Sequence, residues 1–134
     1  MNTAWATKWL SAYGDARYDE MMTMYADDVD FEDLVFGVKF DNKKDFRGLI
    51  DEFHALGHTH HYEVVRYVGG SDGGFIEWTW ELTVKGEFLD IPADGKKIET
   101  RGVSVVSFND EGLIFRQRDL WNADAVYRQL GAIS

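Results

Sequence analysis

The sequence predicts an α+β fold in which helices cover one face of a curved sheet. Three observations predict it. Apolar residues recur every three to four positions only up to Gly57 and again in the last stretch, "ADAVYRQLG". Between these, "FIEWTWELTVKG" and its neighbours alternate strictly, as half-buried strands do. The turn-forming clusters "GGSDGG", "PADG" and "NDEG" separate the alternating runs and read as hairpin connections. Helices segregated from an antiparallel meander define the α+β class.

The elements follow in order. Trp5, Trp9 and Tyr13, with Leu10 adjacent, mark one face of a first helix that Gly14 ends. Asp15 is placed to cap a second helix with Tyr18, Met21, Met22 and Tyr25 as its buried stripe. In "YADDVDFEDLVFG" the period changes to two, and Val29, Phe31, Asp33 and Val35 share one face of a short strand. A third helix begins near Asp41 or Asn42, carries Phe46, Leu49, Ile50, Phe53 and Leu56, and closes at Gly57. Strands follow at "HHYEVVRYV", "FIEWTWELTVKG", "KKIETRGVSVVSF" and "LIFRQRDLW". On the second of these Ile76, Trp78, Trp80, Leu82 and Val84 face one way.

With 134 residues, no repeats and no linker, residues 1–134 read as one domain, large enough for a substantial core. Aromatic residues make up 15% of it, a load that suits either a bulky core or the wall of a cavity. A net charge of −10 repels a phosphate backbone, so nucleic acid is not expected as a partner. The chain has no cysteine, which excludes disulfides, thiol nucleophiles and thiolate metal sites. The N-terminal "MNTAWATKWLSAYGD" lacks the pattern of a signal peptide, and no apolar run is long enough to span a bilayer. The expectation is a cytoplasmic protein that does not enter membranes.

Two acids break the apolar pattern. Asp119 shares its strand face with Leu113, Phe115, Gln117 and Trp121, while Ile114, Arg116, Arg118 and Leu120 take the other. Asp33 sits with Val29, Phe31 and Val35. Burial disfavours a charged carboxylate, so each is expected to titrate high, which suits general acid or base work near neutral pH. A structural reading stands beside this one. Asp119 pairs with an arginine such as Arg101 or Arg118, Asp33 caps a turn at "EDLVFG", or a one-residue bulge turns either side chain outward.

Other candidates carry weaker signals. Trp78 and Trp80 read as a flat wall for a ligand or as sheet-to-helix packing. His54, His58, His60 and His61 lie close in sequence, but their spacing matches no metal motif, and a solvated loop is the expected reading. Ser104 shares a face with Val106 and Phe108, where it can hydrogen-bond a substrate oxygen; no Ser-His-Asp arrangement supports it as a nucleophile. The glycine clusters lack the context of a phosphate-cradling loop.

The element order, with "MYADDVDFEDLVFG" after the second helix and "GKKIETRGVSVVSFNDEGLIFRQRDLWNADAVYRQLG" at the end, resembles the nuclear transport factor 2-like fold. Within it the C-terminal half resembles the SnoaL-like polyketide cyclases, and the resemblance covers nearly the whole chain. The resemblance implies a cone-shaped, curved, mixed or antiparallel sheet wrapped around N-terminal helices, with a short C-terminal helix. It places Asp119 on the acid/base position of the cyclases, where limonene epoxide hydrolases also carry an Asp. It places Asp33 on the general-base position of ketosteroid isomerases. The cyclases have a His where this chain has Ser104. The isomerase Tyr and protonated Asp that hold an enolate oxygen correspond here to Trp9 and Ser104. The Arg and Asp of the epoxide hydrolases correspond to the stretch holding Trp78 and Trp80.

What the resemblance implies is an enzyme without cofactor or metal, acting on a small hydrophobic, even polycyclic, carbonyl compound by isomerisation, dehydration or aldol-type cyclisation. Asp119, Asp33 and Ser104 are the expected catalytic residues, with Trp78, Trp80, Phe31, Trp9 and Arg118 against the substrate. A non-catalytic binding or dimerisation module is the alternative. The resemblance also implies a homodimer through the outer sheet face, which Glu and Thr on the tryptophan strand make polar there.

Overall fold

A computed structural model describes residues 1–133. The Asn2 side chain caps the first helix, α1 (Thr3–Gly14), by accepting the Trp5 amide at 2.9 Å. Asp15 proves to be the C-cap of α1 rather than the start of the next helix. The second helix, α2, is only Tyr18–Met22 and has no side-chain cap. Tyr25, expected on that helix, instead opens strand β1 (Tyr25–Asp33). Five residues are too few for a helix to hold by itself, and the β-rich run after Met24 takes over. Val35, expected on β1, lies in the turn that leads to the short strand β2 (Val38–Phe40).

Of the two starts the sequence offers, Asp41 and Asn42, the structure uses Asn42, which caps α3 (Lys43–Ala55) through the Asp45 amide at 2.8 Å. Phe46 and Ile50 are its buried face, whereas Leu56 caps the far end and is exposed. Four long strands follow with two short ones between: β3 (Thr59–Gly69), β4 (Gly73–Thr83), β5 (Glu87–Phe88), β6 (Ile91–Pro92), β7 (Lys97–Phe108) and β8 (Ile114–Trp121). A small β5–β6 hairpin lies between the tryptophan strand and the turn that the sequence marks at "PADG". Helix α4 (Ala123–Leu130), capped by Asn122, packs against β7.

The main sheet has the order β2-β1-β8-β7-β4-β3 and is curved without closing into a barrel. Every neighbour pair is antiparallel except β1 with β8, which run parallel. The sheet is therefore mixed, and the first strand lies beside the last. On its concave side α1 packs against β3 and α3 against β1, with Trp9, Tyr25, Phe31, Phe46, Ile76 and Leu82 among the buried residues. Among the described residues no helix is long and apolar enough to cross a membrane.

Strand β8 departs from strict alternation at its start. Ser107 pairs with Arg116 but Phe108 pairs with Ile114, so Phe115 is an extra residue in a bulge. The bulge reverses the inward face. Ile114 is fully buried at 0% exposure, and Phe115 points outward at 41%. Phe115 was expected to share the face of Asp119, and it does not. Past the bulge, Gln117, Asp119 and Trp121 face inward as predicted.

The convex face is less polar than the sequence implies. Glu77, Thr79 and Glu81 do lie there. Beside them, cross-strand pairing aligns Val68 with Phe75 and Phe75 with Val105, while Val103 aligns with Leu120. These five side chains form an apolar stripe, on which Val68, Phe75 and Leu120 are exposed.

Gly102 lets the inner tryptophan lie flat on the sheet. A Cβ at this position would stand 2.3 Å from Trp78 Cη2 and 2.7 Å from the Leu120 carbonyl. Gly102→Ala is therefore expected to destabilise the fold by about 1–3 kcal/mol through overpacking, read as a lowered melting temperature. An unchanged melt would show that Trp78 has room to move.

Candidate active site

The register of the sheet assembles the site. Asp33 pairs with Asp119 across β1 and β8, and Asp119 pairs with Ser104 across β8 and β7. The neighbouring rows align Phe31 with Gln117, and Trp121 with Gly102 and then Trp78. Side chains opposite one another on adjacent strands share a face, so all of these point to the concave side. There they line a cavity of about 160 Å³ that Trp9, Tyr13, Phe46, Tyr62 and Trp80 complete. An enclosed apolar cavity of about 150 Å³ holds one benzene ring, so this space, which is not enclosed, has room for at least a single ring.

Two chains of hydrogen bonds end on one oxygen of Asp119. In the first, Trp78 Nε1–H donates to Ser104 Oγ at 3.0 Å, and Ser104 donates to Asp119 Oδ1 at 2.6 Å. In the second, Trp9 Nε1–H donates to the Tyr25 hydroxyl at 3.0 Å, and Tyr25 donates to Gln117 Oε1 at 2.6 Å. Gln117 Nε2 then donates to Asp119 Oδ1 at 2.9 Å. An indole N–H can only donate, so each tryptophan sets the direction of its chain. The Gln117 amide has one orientation, and the single Ser104 proton is committed to Asp119. Oδ1 is thereby an acceptor from both sides. Oδ2 receives no hydrogen bond among the described residues, and it is the oxygen free to take or release a proton.

Burial raises the Asp119 carboxyl from 3.8 to about 6; the Ser104 and Gln117 bonds pull it back and the neighbouring Asp33 charge pushes it further up. Asp33 behaves differently. Its Oδ1 accepts the amides of Val35 and Phe36, each at 2.9 Å, and its Oδ2 accepts Trp121 Nε1–H at 3.2 Å. Burial raises its pKa too, and these three donors oppose the shift. Asp33 thus caps the turn after β1 and binds Trp121, whose ring packs against Phe36 at 5.1 Å. Phe36 also borders the cavity, so Asp33 holds two aromatic walls in place.

Of the residues singled out in the sequence, Asp119, Asp33, Ser104, Trp78, Trp80, Phe31 and Trp9 come together around this cavity. Arg118 does not. It alternates with Asp119, lies on the convex face, and is held by Asp30 at 2.9 Å and Glu32 at 3.3 Å. Ser104 is present, but with its proton on Asp119 it has none for a substrate oxygen. Sequence reasoning left Tyr13, Tyr62 and Gln117 out of the site. Tyr13 was visible on the Trp5–Trp9–Tyr13 stripe, and Gln117 shared the face of Asp119; nothing but strand pairing sets Tyr62 opposite Trp80. Burial keeps the hydroxyls of both tyrosines protonated far above neutral pH.

The histidines divide. His61 is exposed and pairs with Glu63, which fits the solvated reading. His54, His58 and His60 instead border a second cavity, which shares Tyr13, Phe53 and Tyr62 with the first. Among the described residues no three His, Cys, Asp or Glu side chains are arranged to hold a metal ion.

Comparison with known proteins agrees with this architecture. Residues 6–117 match the family described as SnoaL-like domain, a span that includes Asp33 and Ser104 and ends just before Asp119. A SnoaL-like polyketide cyclase from Agrobacterium tumefaciens superposes with a TM-score of 0.74 at 21% identity, over 92% of this chain and 93% of that one. A protein with a ketosteroid isomerase-like fold from Catenulispora acidiphila, in complex with trimethylamine, gives 0.78 at 18% identity, over 96% and 92%. An LEH-like epoxide hydrolase from M. tuberculosis gives 0.72 at 15% identity, over 96% and 90%. No curated protein matches the sequence.

A carboxyl titrating at about 6 when folded and near 3.8 when unfolded has a definite effect on stability. Between these values the folded state binds more protons, so the Asp119 contribution is full below about pH 4 and is lost as pH rises through about 6. At neutral pH the charged group costs on the order of 2–3 kcal/mol. Asp119→Asn keeps an acceptor for Ser104 and Gln117 without the charge. It is expected to raise the melting temperature at pH 7.5, with the gain shrinking toward pH 4. A variant less stable than the parent at pH 7.5 would mean that the carboxylate is a stabilising partner instead.

Proposed function

The chain belongs to the SnoaL-like domain family, and we propose that it is a cofactor-independent acid/base enzyme acting on a small, single-ring or similarly sized carbonyl compound. The observation that carries this reading is the state of Asp119. One carboxylate oxygen is pinned by two donors, the other is unbonded, and the group titrates near neutrality inside an apolar cavity. A base of that kind matches the pH at which it works.

In the proposed reaction the Asp119 carboxylate removes a proton from the carbon next to the substrate carbonyl. The C–H electron pair forms a carbon–carbon double bond, and the carbonyl oxygen becomes an enolate. Asp119, now protonated on Oδ2, returns the proton. Delivery to a different carbon is an isomerisation, loss of a β-hydroxyl as water is a dehydration, and attack of the enolate on a second carbonyl is a ring closure. The enolate oxygen needs a donor that Ser104 cannot supply, and the protonated hydroxyl of Tyr13, which itself accepts a hydrogen bond from Tyr62, is the proposed donor. Asp33 is a positioning residue here, with both oxygens occupied. Phe31, Trp78 and Trp80 pack against the substrate ring.

The family resemblance and the apolar stripe of Val68, Phe75, Val103, Val105 and Leu120 together support a homodimer through the convex face. Phe75→Glu is expected to shift the protein from dimer to monomer in light scattering. A parent protein that is monomeric at all accessible concentrations would sink that part of the proposal.

The catalytic reading is tested with 3-cyclohexen-1-one, a single-ring enolisable ketone, followed by NMR in deuterated water. The protein is expected to speed exchange at the carbon next to the carbonyl, with a rate that rises with pH and levels off above about 6. Asp119→Asn should lose roughly 10²- to 10⁴-fold of that rate while melting as a folded protein. Equal rates in parent and variant would leave a binding module in place of an enzyme.

A further inference from the structure

The cavity that holds Asp119 is not enclosed, and an aromatic path leads out of it. Trp80, only 7% exposed, meets Trp121 edge-on at 6.0 Å, and Trp121 meets Phe36 at 5.1 Å. All three border the cavity. At 44% exposure Phe36 is, among the described residues, the only lining residue that is exposed rather than buried or half-buried. The open side of the cavity is therefore the side of Phe36.

A single exposed phenylalanine is ordinary on a protein surface. This one is held in place. Every amide of the turn around it is bonded to the two strands that carry the acids. Leu34 N–H donates to the Asp119 carbonyl at 3.0 Å, and Gly37 N–H donates to the Asp33 carbonyl at 2.9 Å. Between them Val35 and Phe36 N–H both donate to Asp33 Oδ1 at 2.9 Å. The backbone of Phe36 is thus fixed relative to Asp119. Its ring packs on Trp121, whose indole N–H is itself held by Asp33 Oδ2 at 3.2 Å. Two aromatic surfaces are set at the mouth before any ligand arrives, which lowers the ordering cost of binding there. The charged groups that line the cavity are Asp33 and Asp119, with no Lys, Arg or His among the described lining residues.

We propose that Phe36 and Trp121 determine specificity, forming an outer subsite for an apolar, uncharged substituent on the carbonyl compound bound beside Asp119, on the reading that the cavity binds such a compound. The inner space admits a ring, and a substituent too long for it has the open side as its exit. There it covers the exposed face of Phe36 and removes apolar surface of both partners from water. A carboxylate or phosphate in its place would sit near two acids without a counter-charge.

The test is a binding series on the full chain, followed by ¹H–¹⁵N NMR. Its members are cyclohexanone, 4-ethylcyclohexanone and 4-butylcyclohexanone, with 4-oxocyclohexanecarboxylate as the charged compound. Affinity is expected to rise about two- to fourfold per methylene, as partial to full burial of each group gives. The Trp121 indole signal should move further with the butyl compound than with cyclohexanone. Phe36→Ser should cut the butyl-to-cyclohexanone affinity ratio by about fivefold or more, and Phe36→Leu should keep most of it. Asp33 holds the amide of residue 36 and not its ring, so the turn is expected to persist in both variants. Should Phe36→Ser fail to fold, the parent series and its Trp121 shift decide. Affinity independent of chain length, an unchanged ratio in Phe36→Ser, or tighter binding of the carboxylate would each overturn the proposal. So would a Phe36→Ser variant that alters self-association and not the ratio, which would make a second copy of the chain the occupant of this lip. If none of the ketones binds, the carbonyl reading falls as well. Chain-length dependence without deuterium exchange would support the subsite and remove only the catalysis.

Discussion

The site depends on one constraint: Asp119 Oδ1 is the terminus of two hydrogen-bond chains whose first members cannot reverse. Trp78 and Trp9 donate through indole N–H groups, so Ser104 and the Tyr25–Gln117 pair are left with one proton arrangement each. A buried carboxylate without donors would cost far more and would hold its proton more tightly. With donors on one oxygen alone, the group stays ionisable near neutrality and its proton chemistry is confined to the other oxygen. The polar residues of the core are therefore organised about a single atom.

That arrangement rests on the parallel pairing of β1 with β8. The pairing brings the end of β1 beside the end of β8, so Asp33 lands next to Asp119 and the turn it caps lands against Trp121. Two acids on one apolar face thus take different roles through their partners. Asp33 meets three N–H groups and becomes a structural clamp for the Phe36 turn. Asp119 meets two donors on one oxygen and retains a free one. Their proximity adds a repulsion that favours keeping one of them neutral, and the group with fewer donors is the one that yields.

The bulge at Phe115 sets which residues of β8 can take part. By adding one residue it turns Ile114 into the core and Phe115 out, and the alternation beyond it delivers Gln117, Asp119 and Trp121 to the cavity. Arg118, one residue from Asp119, is correspondingly outside and paired with Asp30 and Glu32. The histidines show the same dependence on partners. His58 and His60 are fixed as neutral donors by an amide and an indole contributed from β4 and the segment after it, while His61, on the other face of β3, remains an exposed ion-pair partner.

The sequence by itself determined the element types and most of the inward faces, because period and turn chemistry are local properties. The tryptophan strand, the third helix with its start at Asp41 or Asn42, and the placing of Asp33 and Asp119 on apolar faces were legible in this way. So was the turn-capping alternative for Asp33, which the structure realises. The tertiary structure alone decided what depends on residues far apart in the chain. It joined β1 to β8 in parallel, shortened α2 and moved Tyr25 into a strand. It also gave the Ser104 proton to Asp119, excluded Arg118, and added Tyr13, Tyr62 and Gln117. The physical reason is that a side chain's face is set by its own strand, but its hydrogen-bond partner, its charge state and the space before it are set by the strand alongside.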